Sequence, residues 1–304
     1  MAKQKRLFCT LVFLAAGAAF LGASAAVAQT KKPKVYISAD MEGIGGVSTG
    51  QVQAGSQGRE YEKFRRLMTQ EVNAAIAGAF DAGATEVLVS DSHGDGQNID
   101  VELLDNRARL IRAWPRPLVM MQGVDNTFDA AVFIGYHAGE GQSAAILAHT
   151  MSGRRIFEIK LNGTAVPEAG FNAAIAGEFG VPVVFLSGDQ AIGEEARRLL
   201  GPIETVAVKQ ATGYFSATMM HPEQAQQLIR AGVKRAVERR GELKPHKLAH
   251  PVKLEITFKD TVNAELVSYL PGVERPRGNA IVFTARDMVE AAKFLEAVLG
   301  LNTY

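Results

Sequence analysis

Apolar residues along this chain fall into two rhythms that take turns. Val35-Tyr36-Ile37, Val87-Leu88-Val89, Ala131-Val132-Phe133-Ile134 and Val183-Val184-Phe185-Leu186 are short unbroken runs, the pattern of strands buried on both faces. Between the first two, Phe64, Leu67, Met68, Val72, Ala75, Ile76, Ala79 and Phe80 recur at helical spacing, predicting a helix over about 60–82 that Gly83 closes. Strand, helix, strand in that order predicts parallel pairing through a crossover. Strands are expected at 34–40, 86–90, 130–136 and 182–186, with a shorter one at 109–113. Asn162-Gly163 between 155–160 and 164–166 predicts a type I′ hairpin. A helix is expected from Pro167 to about Phe179, with Glu168 in its first turn, and an amphipathic one over 191–200.

Further along, the pattern changes. Residues 222–239 read as a basic surface helix, 244–251 as a linker, 252–258 and 280–284 as strands, and 286–299 as a helix. The fold class expected is α/β, a mainly parallel sheet flanked by helices. Residues 29–215 would form a metal-binding catalytic domain, and 216–304 a smaller α+β portion that is a candidate for oligomerisation.

The amino terminus follows neither rhythm. Lys3, Lys5 and Arg6 precede an apolar run over 7–21, and small residues end in Ala26-Val27-Ala28, the pattern of a secretory signal cut before Gln29. The run is short and broken by Gly and Ala, which favours cleavage over a membrane anchor. The mature chain is thus expected in the periplasm or secreted, without stable membrane insertion. Losing residues 1–28 takes three positive charges and no acid, leaving 30 Lys and Arg against 32 Asp and Glu. Such a balance, with no basic stripe, argues against a nucleic acid partner. Cys9, the one cysteine, lies in the signal, so a thiolate metal site and a cysteine nucleophile are excluded from the mature protein.

Three of the apolar runs lead straight into metal-ligand side chains: Asp40-Met41-Glu42, Asp91-Ser92-His93, and Tyr136-His137. Each alone has an ordinary reading, as a turn acid, a solvated loop histidine or a satisfied structural one. Together they point elsewhere, because the carboxyl ends of parallel strands share one edge and ligands bind outside it. Two carboxylates and two imidazoles there make the mixed nitrogen and oxygen set that zinc and similar ions favour. Asp91 is the expected acceptor for the outer N–H of His93. Glu168 has a structural reason to stand at a helix start, where a carboxylate meets the positive end of the dipole. His149 is a ligand, an acid/base or an exposed residue, while His221, His246 and His250 read as surface residues. Gly43-Ile44-Gly45-Gly46 matches no phosphate-binding loop and is read as letting backbone pass close to the metal edge.

With these residues assembled, the chain resembles the DppA-type D-aminopeptidases, zinc metallopeptidases. The resemblance is carried by Ser38-Ala39-Asp40-Met41-Glu42-Gly43-Ile44, Ser90-Asp91-Ser92-His93, Gly135-Tyr136-His137-Ala138, His149 with Met151, Asn162-Gly163 leading to Glu168, and Val208-Lys209-Gln210. It implies that Asp40, Glu42, His93, His137 and Glu168 hold two zinc ions per subunit with Asp40 bridging, and that His149 is the catalytic histidine. It further implies removal of N-terminal D-residues from short peptides by a ring-shaped homodecamer. An export signal departs from the cytoplasmic pattern of such relatives. The competing expectations are a metal-dependent phosphoesterase and an exported, non-enzymatic peptide- or metal-binding protein.

Overall fold

The computed structural model describes Met1 and residues 32–301; the rest of the expected signal lies outside the described residues. Its main sheet has seven strands in the order β3-β2-β1-β4-β7-β8-β9. These are β1 (Lys34–Ala39), β2 (Glu86–Asp91), β3 (Ala108–Ile111), β4 (Ala130–Tyr136), β7 (Val183–Asp189), β8 (Glu204–Gly213) and β9 (Ser216–Met219). All pairs are parallel except β8 with β9. From β1 the chain adds β2 and β3 on one side, then crosses to place β4 on the other, so β1 and β4 flank the point where strand order reverses. In a parallel sheet that point opens a crevice at the carboxyl edge.

The central strands bury both faces, which is why they read as continuous apolar runs. Val35, Ile37, Val132 and Ile134 face a core closed by α1 (Tyr61–Asp81) and α4 (Pro222–Glu238), which pack on each other. Tyr36, Phe133 and Tyr136 face a second core, built with α2 (Glu168–Glu178), α3 (Gln190–Leu200) and a second sheet. That sheet is antiparallel, in the order β11-β12-β10-β5-β6. Its strands are β5 (Ile156–Leu161), β6 (Thr164–Ala165), β10 (Val252–Phe258), β11 (Val273–Arg277) and β12 (Ala280–Ala285), backed by α5 (Thr261–Ser268) and α6 (Met288–Gly300). Asn162 and Gly163 both have positive φ, 48° and 84°, as the type I′ turn between β5 and β6 requires.

The expected α/β class is what the structure has, but its layers ignore the expected boundary after residue 215. That boundary falls in the β8–β9 hairpin, and residues 32–301 belong to one compact unit. β5, with β6 at its side, leaves the first half to pair with β10, and α4 returns from the second half to cover the main sheet. The reason is visible in α4: beside its charges it carries Ala225, Ile229, Val233, Ala236 and Val237, a buried stripe that seats it on α1 and the sheet. Among the described residues no helix is long and apolar enough to cross a membrane.

Candidate metal centre

Asp40, His93 and His137 each follow a strand end at the carboxyl edge, and close backbone contact brings the ends together. The Asp40 N–H donates to the Ile134 carbonyl at 2.8 Å, and the Gly43 N–H to the Gly135 carbonyl at 2.7 Å. Glycine is needed at both places. A Cβ on Gly43 would stand 1.9 Å from the Tyr136 carbonyl oxygen, and one on Gly135, where φ is 70°, 2.2 Å from the Asp40 carbonyl oxygen. The register of β4 against β7 shifts between Phe133 and Tyr136, an irregularity that delivers His137 to the edge.

Asp40 lies between two imidazoles. Its Oδ1 is 3.1 Å from Nδ1 of His93, and its Oδ2 is 3.3 Å from Nε2 of His137. Glu42 approaches the same His93 nitrogen at 2.8 Å, and Glu168 stands 3.6 Å from His137 Nε2. All five side chains expected to hold metal are therefore together, and all are buried. Asp40 Oδ2, Glu42 Oε2 and His137 Nε2 have no hydrogen-bond partner. Three orphaned buried atoms converging on one space are costly unless something else satisfies them, and the donor set fits a divalent cation. The outer imidazole nitrogens are anchored: His93 Nε2 lies 2.8 Å from the Ala54 carbonyl, and His137 Nδ1 lies 3.0 Å from that of Ala138. Donating there fixes the tautomers that leave His93 Nδ1 and His137 Nε2 with free lone pairs toward the cluster.

Asp91 does not play its expected part. Its carboxylate accepts the N–H groups of Asn98 and Ile99 and the Asn98 amide, while Asn98 in turn donates to the His93 carbonyl. It braces the loop backbone, and the acceptor for the imidazole is Ala54, at the end of a π-helical turn (Gly50–Ala54) that no pattern in the sequence announced.

The imidazoles and carboxylates of the cluster shift one another. Burial works against the Glu42 carboxylate, but the His93 imidazole outweighs it and holds the carboxyl well below its usual range; His137 does the same for Glu168. Reciprocally, burial disfavours charge on His93 and His137, yet Glu42 and Glu168, each with Asp40, raise them well above 6.5. A divalent ion would displace those protons, so its binding must weaken as pH falls.

His149 is placed by strained backbone. Leu147 and Met151 on either side have positive φ, 53° and 62°, unusual outside glycine. The Met151 N–H donates to Glu168 Oε1 at 2.6 Å, and the Leu147 N–H to the Tyr214 carbonyl at 3.2 Å. The His149 ring stacks on His137 with centroids 4.1 Å apart, its Nδ1 2.9 Å from the Leu147 carbonyl and its Nε2 3.6 Å from Glu168 Oε1. By distance alone Asp40, Glu42 and His93 form one potential ligand group, and His137, His149 and Glu168 another. His149 differs from the other five in being half-buried, and it lines both neighbouring cavities. One, of about 580 Å³, reaches from the cluster to Trp114, Met120 and the end of α6; the other, of about 740 Å³, opens past Gln51 and Tyr214.

Lys209 holds the turn that carries Glu42, a role sequence reasoning missed. Its buried Nζ donates to the carbonyls of Glu42, of Ile44 at 3.0 Å and of Val47 at 2.7 Å. Burial brings its pKa down to about 8. The available signal was a lysine directly after the apolar Val206-Ala207-Val208 of a strand. The three histidines read as surface residues stay away from the cluster: His221 caps α4, His250 pairs with Glu178, and His246 is half-buried in the connection before β10.

The family model described as D-aminopeptidase matches residues 34–297. A D-aminopeptidase of Bacillus subtilis (strain 168) is 38% identical over 263 residues, covering 85% of this chain and 93% of that protein. The solved structure of the Zn-dependent D-aminopeptidase DppA from Bacillus subtilis, described as a self-compartmentalizing protease, superposes with a TM-score of 0.85 at 34% identity, over 89% of this chain and 99% of the other. With the ligand cluster at the expected strand ends and the match running through both sheets, the chain belongs to the D-aminopeptidase family of metallopeptidases.

Proposed function

We propose that this enzyme is an exported dinuclear zinc aminopeptidase that removes an N-terminal D-residue from short peptides. The observation that carries the reading is the convergence of Asp40, Glu42, His93, His137 and Glu168, with Asp40 Oδ2, Glu42 Oε2 and His137 Nε2 left unsatisfied. Asp40, Glu42 and His93 would hold one ion, and Asp40, His137 and Glu168 the other, Asp40 being the carboxylate that reaches both imidazoles. When bound, such a pair supplies Lewis acidity toward the scissile carbonyl and makes a water acidic enough to attack near neutral pH. Three carboxylates against four positive charges leave the centre electrophilic.

The chain's own residues do the rest. His149 presents Nε2 to the cluster, because its Nδ1 is engaged by the Leu147 carbonyl and its ring is fixed against His137. It is placed to carry a proton to the leaving amine, a role worth about 10² to 10⁴-fold in rate. Burial of the carboxylates keeps bulk water from competing for the same donors. The self-compartmentalizing description of the Bacillus protein supports a homo-oligomer here as well, a decamer by the family resemblance. The amino-terminal pattern supports export, and sequencing of the secreted protein should then begin at Gln29.

The test is hydrolysis of D-Ala and L-Ala p-nitroanilides with and without chelator. Cleavage of the D form, abolished by chelation and restored by zinc, is expected. Release of phosphate from p-nitrophenyl phosphate without D-Ala cleavage would establish a phosphoesterase instead, and stoichiometric ligand binding without product would establish a binding protein.

A further inference from the structure

The 580 Å³ cavity that opens on the metal cluster is lined by four carboxylates, Asp40, Glu42, Glu168 and Glu296, and by a single Lys or Arg side chain among the described residues, Arg155. Two bound cations would account for the first three acids. Glu296 is occupied differently, its Oε1 accepting the Arg116 N–H at 2.9 Å. Arg155 is left as a permanent cation facing a site whose substrate has not been placed.

Its surroundings hold the guanidinium still without neutralising it. Nε donates to Asn263 Oδ1 at 2.8 Å, Nη1 to the Leu299 carbonyl at 3.1 Å and Nη2 to the Val298 carbonyl at 3.1 Å. Asp260, the acid whose charge acts on Arg155, accepts from the Asn263 amide, whose oxygen in turn accepts from the arginine. Neutral acceptors thus use three of the five N–H groups. Two remain, one on each terminal nitrogen, and a half-buried guanidinium with N–H groups to spare is matched in charge by a carboxylate.

We propose that Arg155 receives the C-terminal carboxylate of the substrate peptide, so that the enzyme selects short peptides by reading the free end opposite the scissile bond. This rests on the aminopeptidase reading above. The chemistry explains why such a group is useful here. A metal pair attracts any carboxylate, so a peptide can bind backward with its acid on the metals. An anchor on the α6 wall favours the orientation that leaves the carbonyl at the metals. It also sets a length limit, because the carboxylate must reach Arg155 from the cluster. Elsewhere on that wall Glu296 repels an acid, which narrows the carboxylate position to Arg155.

The test uses the zinc-loaded protein and a non-hydrolysable analogue of D-alanyl-D-alanine, with CH₂–NH in place of the peptide bond, prepared as the free acid and as the C-terminal amide. Calorimetry is expected to show the acid binding about 10- to 100-fold more tightly than the amide, the range of a charge-assisted pair. Arg155→Met is expected to abolish that advantage. Equal affinities in the wild type, or an advantage that survives in Arg155→Met, would overturn the assignment. If the Met variant does not fold, Arg155→Lys, which keeps a charge without the fork, is expected to shrink the advantage, and an unchanged ratio there overturns it equally. Turnover of D-alanyl-D-alanine by the same wild-type preparation is scored separately: its absence counts against the aminopeptidase reading, whereas the binding ratio judges Arg155.

Discussion

Lys209→Met removes the cation that ties down the Glu42 turn while keeping a side chain of similar length. Three carbonyl oxygens lose a charge-assisted bond. The Ile44 carbonyl keeps its bond from the Val47 N–H, whereas those of Glu42 and Val47 are left without a partner among the described residues. Each dry orphan costs about 1–3 kcal/mol, and the lost bond at Ile44 a similar amount. Against this stands the relief of no longer burying an ammonium group. Its pKa falls from 10.5 to about 8 in the folded protein, equivalent to about 3 kcal/mol. The balance is a net loss of about 3 kcal/mol, within a range of roughly 0–6. For a domain of this size that is a fall in Tm of about 6–12 °C, measured by calorimetry in chelator so that metal binding does not contribute. The same variant should bind zinc more weakly, because the loosened turn carries Glu42. A Tm within about 2 °C of wild type, with unchanged zinc affinity, would refute the reasoning that this buried cation organises the site.

His149→Ala should retain its metal by elemental analysis while turnover falls about 10² to 10⁴-fold; loss of metal would make His149 a ligand, and near-normal turnover would remove it from the mechanism. Glu168→Gln should lower metal occupancy after dialysis, and full occupancy would leave Glu168 as a helix-start residue alone. For Glu71, burial raises the carboxyl pKa to about 7 from 4.5, with Oε1 accepting the Gly45 N–H at 2.8 Å. Below pH 4.5 the group is protonated in both folded and unfolded chains, and stability is then lost as pH rises from 4.5 through 7. Glu71→Gln keeps the acceptor and abolishes that loss, so relative to its value at pH 4.5 the variant should gain about 3 kcal/mol on wild type by pH 8; parallel stability curves in urea would contradict this.

The residues that converge at the candidate centre were legible, Glu168 through the family resemblance and the other four because each sits where a strand pattern breaks off. Asp40, Glu42, His93 and His137 follow apolar runs, Glu168 follows a proline, and a parallel sheet brings such ends to one edge whatever the loops do. What the pattern did not specify was which partner each group meets after the loops close. Asp91 reads as a partner for His93, yet the Asn98 and Ile99 N–H groups reach it first, and the imidazole finds the Ala54 carbonyl on a turn 39 residues back. Arg155 gave no motif and Lys209 a family match without a role, since their roles come from carbonyls far along the chain that only the folded backbone assembles. The boundary after residue 215 failed to divide the layers for a related reason: local composition changes there, but strand pairing joins β5 to β10 across about 95 residues, and no short window contains that pairing.

The most direct test of the account is a crystal of the zinc-loaded protein measured at the zinc absorption edge. Two anomalous peaks about 3.5–4 Å apart, enclosed by Asp40, Glu42, His93, His137 and Glu168, are predicted. A single peak, or zinc bound at other residues, would contradict the dinuclear centre on which the proposed chemistry depends.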